Sequence, residues 1–218
     1  MAIYVTSDAH GHVRALDEAL SKISLTSDDT LYVLGDMIDR GPDPVGVIKL
    51  VRSLPNAHVL KGNHEQIMLD AIIGQDPLDA ETWDINGGWT TREQLNDMEF
   101  EAYEELVRWM AGLPLYAVAE TDERPYLLVH AGIETEAARA FLLEHDADCA
   151  DGAGAVGADR ELLQQMLAVQ SSDDLLWIRH GYWDAPTGLL STEGKGPVVV
   201  SGHTPTVSLG RYCEVGGL

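Results

Sequence analysis

Asp8, Asp36 and Asn63 stand 28 and 27 residues apart, each shortly after a brief apolar run. Such even spacing brings polar side chains to successive strand ends, on one edge of a parallel sheet. His10 follows Asp8 closely, and His130 and His203 follow the apolar runs Tyr126–Val129 and Val198–Val200. A lone strand-end Asp more often caps the next helix, and a lone His is more often simply hydrogen-bonded. Six such residues at five strand ends are better explained as metal ligands, and each lies near a glycine that permits close backbone approach. Carboxylate, amide and imidazole donors without sulfur suit Mn, Fe or Zn. Six donors exceed what one catalytic ion with an open position takes, but they fit two ions sharing a carboxylate. Asp36, at the central strand, is the expected bridge.

Groups for proton transfer and phosphate binding flank these donors. In Asp36-Met37-Ile38-Asp39-Arg40-Gly41 a second carboxylate and a guanidinium follow the bridging position, and in Asn63-His64-Glu65 an imidazole adjoins a ligand. His64 can protonate a leaving oxygen while Asp39 holds its tautomer and raises its basicity. Arg40 offers a planar fork to a phosphate; the competing reading of Asp39 and Arg40 is a mutual surface ion pair of little energetic worth.

The elements that would position these residues alternate. Strands are expected over Ala2–Val5, Thr30–Leu34 and Ala57–Leu60, and apolar residues recur at helical spacing over Val13–Ile23, from Val47 to Leu54 and from Ile67 to Ile72. Three βα units predict an α/β fold with parallel strands, the βαβαβ core carrying its ligands at the strand C-terminal ends. Residues 74–120 break the alternation with Trp83, Asn86-Gly87-Gly88-Trp89 and an expected helix over Glu99–Met110, so a helical insertion is predicted there, with Trp83, Trp89 and Trp109 shaping a pocket or packing in a core. The stretch Glu144–Asp159 is expected to be a mobile loop, with a helix over Arg160–Val169. His12, His58, His145 and His180 fit no strand end and are assigned to solvent or local networks.

The five blocks Asp8-Ala9-His10-Gly11, Gly35 through Gly41, Gly62-Asn63-His64-Glu65, His130-Ala131-Gly132 and Gly202-His203 resemble the calcineurin-like metallophosphoesterases, in family order and across nearly the whole chain. More narrowly the chain is similar to the phosphoprotein phosphatase branch, in its small bacterial and bacteriophage serine/threonine form. The resemblance implies a β-sandwich of two mixed sheets flanked by helices, in a single catalytic domain over residues 1–218. It also implies that Asp8 and His10 hold one metal, that Asp36 bridges, and that Asn63, His130 and His203 hold the second. His64 with Asp39 would then be the general acid, and Arg40, Asn63 and Arg179 would orient the phosphate. The cofactor expected is a pair of divalent ions, Mn²⁺ first, with Fe or Zn as alternatives. The expected reaction is in-line attack on phosphorus by a hydroxide bridging the metals, with no covalent phosphoenzyme.

Two departures accompany the resemblance. Ser7 stands where the family usually has Gly, which matters if the backbone there needs positive φ. The sequence given also ends at Leu218, soon after His203, where family members commonly continue through strands of the second sheet. That shortening is expected to touch stability more than ligand identity.

The substrate expected from the branch is a phosphoprotein or small phosphoester. The alternative is symmetrical hydrolysis of a dinucleoside polyphosphate; Glu65 argues for the protein phosphatase branch, because the polyphosphate hydrolases usually carry Asp there. A third reading is an inactive metal-bound regulatory module.

The 218 residues carry 36 acidic against 14 basic side chains, a formal charge of −22 that repels polyanions wherever no cation or basic site reverses the field, so nucleic acid is not an expected partner. No apolar run is long enough to span a bilayer, no signal peptide opens the chain, and Cys149 and Cys213 have no paired spacing. A cytoplasmic location is the expectation.

Overall fold

Strands β1 (Ile3–Thr6), β2 (Thr30–Val33) and β3 (Ala57–Val59) pair in that order in a wholly parallel sheet, with Ile3 opposite Thr30 and Leu31 opposite Ala57, in a computed structural model of the chain. The structure describes residues 2–74, 76–145, 154–180, 182 and 186–205. Two compact units divide the chain at Pro114 and Leu115, and each has its own hydrophobic core.

In the first unit the strands alternate with helices α1 (Val13–Ile23), α2 (Pro44–Ser53) and α3 (Asn63–Ile73), as the apolar spacing predicts. The local chemistry explains the helix starts. Pro44 opens α2 with its preset φ, and the Asp43 carboxylate accepts from Gly46 N at 2.8 Å. Val47, Ile48 and Val51 then bury against Leu31 and Val33 of the central strand. By contrast α1 buries only Leu16.

The insertion predicted over 74–120 is helical through residue 111: α4 (Pro77–Ile85), α5 (Trp89–Asn96) and α6 (Phe100–Ala111). Its last part is not helical. Tyr116–Glu120 forms β4, which opens the second unit and pairs antiparallel with β5 (Pro125–Val129) around a turn closed by Thr121 N donating to Arg124 O at 3.1 Å. The turn Thr121-Asp122-Glu123-Arg124 has neither of the two-residue glycine signals of a tight hairpin, and Pro125 only opens β5, so this strand is not evident from the sequence.

β6 (Val198–Val200) adds to β5 in parallel, which makes the second sheet mixed. The five strand ends that carry the predicted ligands therefore belong to two sheets. Helices α7 (Thr135–Glu144), α8 (Arg160–Ala168) and α9 (Ser172–Trp177) complete this unit, and of these the sequence reading anticipated α8 alone. The predicted mobile loop is in part packed: Ala155 is buried, and its N–H donates to Leu189 O at 2.8 Å. Residues 146–153 of that loop lie outside the described residues, as do Cys149 and Cys213. No helix among the described residues is long and apolar enough to cross a membrane.

Candidate metal and phosphate site

Among the described residues, six of the seven non-glycine residues with positive φ are ones singled out by sequence: Asp8, His10, Asp36, Asp39, Arg40 and His203. The seventh, Ser24, caps the end of α1. Left-handed backbone costs about 1 kcal/mol or more at a non-glycine residue and persists only where the surroundings over-determine it. Its concentration here marks the β1 and β2 exit loops as held in a special shape. The hydrogen bonds holding them are Asp8 N to Gly35 O at 3.1 Å, His10 N to Asp36 O at 2.9 Å and Gly11 N to Met37 O at 2.9 Å. Ser7 is not among the positive-φ residues, so serine is compatible with the backbone there.

In the first unit a ligand atom from each of His10, Asp36 and His64 lies within 4.8 Å of the others. His10 Nε2 stands 3.6 Å and His64 Nε2 4.0 Å from Asp36 Oδ2. His10 donates from Nδ1 to Ile38 O at 2.9 Å, which leaves Nε2 as the lone-pair nitrogen facing Asp36. Burial, ahead of any charge, pushes the His10 imidazole down to about 4, so it is neutral near pH 7, the form that ligates a metal.

Asp36 is buried, and burial and then the Glu65 charge raise its pKa well above the ordinary carboxylate range. The negative charge of Asp8 also acts on both His10 and Asp36. A buried carboxylate among further carboxylates and a neutral imidazole is a donor set that a divalent cation would complement. Asn63 is buried at the first turn of α3.

Glu65, a mark of the protein phosphatase branch in the sequence, has a role within the fold. Its carboxylate is fully buried and accepts from Asp36 N, Met37 N and Gly62 N, each at 2.8 Å. It ties the start of α3 to the Asp36 loop, and it faces backbone rather than any substrate. Gly62 is required by the same closeness, since a Cβ there would strike the Asp36 carboxylate. Glu65→Gln offers one acceptor oxygen where three amides converge, so a donor is left facing a donor. A loss of about 3 kcal/mol is expected from the urea unfolding midpoint; an unchanged midpoint would show that these contacts carry no stability.

The predicted dyad is present. His64 donates from Nδ1 to Asp39 Oδ2 at 2.7 Å with both side chains buried. Arg40 is exposed and its fork spans two imidazoles, Nη1 donating to His10 Nε2 at 2.8 Å and Nη2 to His64 Nε2 at 2.7 Å. Asp39 and Arg40 thus face other partners, and the surface ion pair between them does not form. Of the insertion tryptophans, Trp83 alone contacts this group, its Nε1 donating to Asp39 Oδ1 at 3.0 Å. Trp89 is exposed, and Trp109 lies under the Arg52 guanidinium.

The second unit carries the remaining predicted residues. His130, one residue beyond β5, is fully buried, and its ring meets that of His203 edge-on with centroids 5.1 Å apart. Arg179 donates from Nε to His203 Nε2 at 3.0 Å, which places this arginine beside a predicted ligand. Of the other histidines, His58 stacks on Tyr32 and the His145 ring bonds Phe141 O at 2.8 Å, while His12 and His180 are exposed.

Comparison with known proteins now adds to this geometry. The family model of the calcineurin-like phosphoesterases matches residues 1–216. The symmetrical bis(5'-nucleosyl)-tetraphosphatase of Erwinia tasmaniensis is 31% identical over 136 residues, covering 61% of this chain and 45% of that protein. Its namesake from Proteus mirabilis is 33% identical over 138 residues, with the same coverage of 61% and 45%. The chain thus spans about half the length of the curated relatives it matches. Among solved structures, a metallophosphoesterase from Sphaerobacter thermophilus aligns with a TM-score of 0.41 and 26% identity, over 60% of this chain and 46% of that one.

Proposed function

Because the chain belongs to the calcineurin-like phosphoesterase family, we propose that it is a divalent-metal-dependent phosphoester hydrolase acting on a dinucleoside polyphosphate, which it cleaves symmetrically. The observation that carries the hydrolase reading is the buried His64–Asp39 pair at 2.7 Å with the exposed Arg40 fork on its outer nitrogen. The named activity of the Erwinia and Proteus relatives favours the polyphosphate substrate. Glu65, the residue by which the sequence leaned toward the protein phosphatase branch, accepts from three backbone amides.

Asp8, His10, Asp36, Asn63, His130 and His203 are the residues proposed to hold two divalent ions. Such ions supply Lewis acidity at phosphate oxygens and make water a competent nucleophile near neutral pH.

The chain's own residues would then do the following. Asp39 accepts a hydrogen bond from His64 Nδ1 and so fixes the ring; His64 would take up a proton at Nε2, displacing the Arg40 contact there, and pass it to the leaving oxygen. Arg40 and Arg179 present donors to phosphate oxygens and, with the cations, reverse the field of a chain whose formal charge is −22.

Protein stripped by a chelator and reloaded with Mn²⁺ is expected to convert diadenosine tetraphosphate to two ADP, with no ATP and AMP pair. Chromatography of the nucleotides reads this directly. Release of phosphate from a phosphoserine peptide with diadenosine tetraphosphate untouched would overturn the substrate assignment and restore the phosphatase reading.

A further inference from the structure

The insertion helices reach the His64–Asp39 pair through two side chains that the reaction outlined above does not use. Asp39 has two carboxylate oxygens. Oδ2 accepts from His64 Nδ1, while Oδ1 accepts from Thr91 Oγ1 at 2.6 Å and from Trp83 Nε1 at 3.0 Å. Thr91 bonds twice, since its hydroxyl oxygen also accepts from Asp39 N at 2.9 Å. All four residues are buried, Asp39 and Thr91 completely. Asp39 is moreover held at φ 67°, a conformation that needs external support in a residue with a side chain.

We propose that Trp83 and Thr91 are positioning residues: two neutral donors on Oδ1 fix the rotation of the Asp39 carboxylate and aim Oδ2 at His64, which holds the ring in its Nδ1–H form with Nε2 directed to the Arg40 side. The chemistry supports this assignment. A carboxylate oxygen already receiving two hydrogen bonds in a water-excluded site has no cause to rotate toward another partner, and its charge favours the donor form of the facing nitrogen.

The turn between the two helices is built for the same purpose. Gly87 O accepts from Arg40 N at 3.1 Å, and Gly88 packs against the Trp83 indole so closely that a Cβ there would collide with the ring. The Asn86-Gly87-Gly88 sequence thereby acquires a physical reason. It lets one short segment support Arg40 from its carbonyl and Asp39 from its flanking helices.

This inference rests on the hydrolase reading only for its kinetic half. Its test uses Trp83→Phe, which keeps a ring and removes the N–H donor, Thr91→Val, which keeps the shape and removes the hydroxyl, and Thr91→Ser, which keeps the hydroxyl. Nitrogen-15 NMR of the metal-free protein reads the His64 tautomer without substrate or turnover. Trp83→Phe and Thr91→Val are expected to move the His64 nitrogen shifts toward a mixture of tautomers. They are also expected to lower kcat about 10- to 100-fold with little change in KM. Thr91→Ser is expected to recover most of both effects. If diadenosine tetraphosphate is not cleaved but the tautomer shifts as stated, the substrate assignment falls and the positioning role stands. Folded variants whose His64 nitrogen shifts match the wild type would overturn the positioning role, even with reduced melting temperatures. Should Thr91→Val not fold, a tautomer unchanged in Trp83→Phe overturns it equally.

Discussion

Asparagine in place of His64 is expected to lower kcat by about 100-fold to 10,000-fold while the bound metal content stays that of the wild type. The range follows from the leaving group. A phosphate oxygen leaving from a dinucleoside polyphosphate needs little help from a proton and sits at the lower end; an alkyl oxygen leaving from a phosphoserine needs much more. Two substrates of different leaving-group acidity therefore test the role of His64 better than one.

The structure makes the variant informative, because His64 is buried with Nδ1 committed to Asp39 and an asparagine amide can still donate to that carboxylate. The metal measurement is equally necessary, since His64 Nε2 also lies 4.0 Å from Asp36 Oδ2, within the donor group. Elemental analysis showing metal lost together with activity would make His64 a ligand and remove it as the acid.

Asp36→Asn is expected to abolish tight metal binding, exceeding the roughly 10- to 100-fold that loss of a ligand's outer partner costs. Asp36 Oδ1 accepts from His64 N at 3.0 Å, and an asparagine oxygen keeps that bond, so the loop and the start of α3 should hold. What is lost is the charge and the second oxygen that faces both imidazoles. The metal-free variant should melt no lower than metal-free wild type, because a neutral amide is easier to bury beside Glu65 than a carboxylate whose pKa burial already raises. Calorimetric titration with Mn²⁺ reads the binding and a thermal scan reads the stability. Wild-type affinity in a folded Asp36→Asn protein would sink the assignment of Asp36 as a ligand.

Much of the fold was legible because periodicity reports burial. The runs Thr30–Leu34 and Val13–Ile23 carry strand and helix spacing within themselves, and both became the expected elements. β4 was not read although Gly112 and Pro114 precede it and Pro125 follows its turn, because five residues carry too short a pattern to mark a strand; α7 was not read because it lacks a usual cap. Glu134, whose carboxylate accepts from Glu136 N and Ala137 N at the start of α7, is not among the usual capping residues. The hairpin from β4 to β5 turns through Thr121-Asp122-Glu123-Arg124, with Pro125 opening β5. Its antiparallel pairing depends on where the two strands meet, and no local pattern encodes that.

For the site, residue identity was the legible part. Chemistry demands particular donors, so Asp36, His10, His64, Asp39 and Arg40 could be named from type and spacing, and the first unit brings these five together. What the neighbours of each donor do was decided by tertiary structure alone. Glu65 looked like a reporter of substrate class by its place after Asn63 and His64, yet its carboxylate is turned onto amides of a loop 28 and 29 residues away. Trp83 and Thr91 stand 44 and 52 residues from Asp39 in sequence, with nothing local to mark them. A hydrogen bond acts over about 3 Å of space and is indifferent to chain separation. The sequence by itself therefore determined which groups can bind cations and move protons, and the packing of α3, α4 and α5 determined which of them are held, at what angle, and by what.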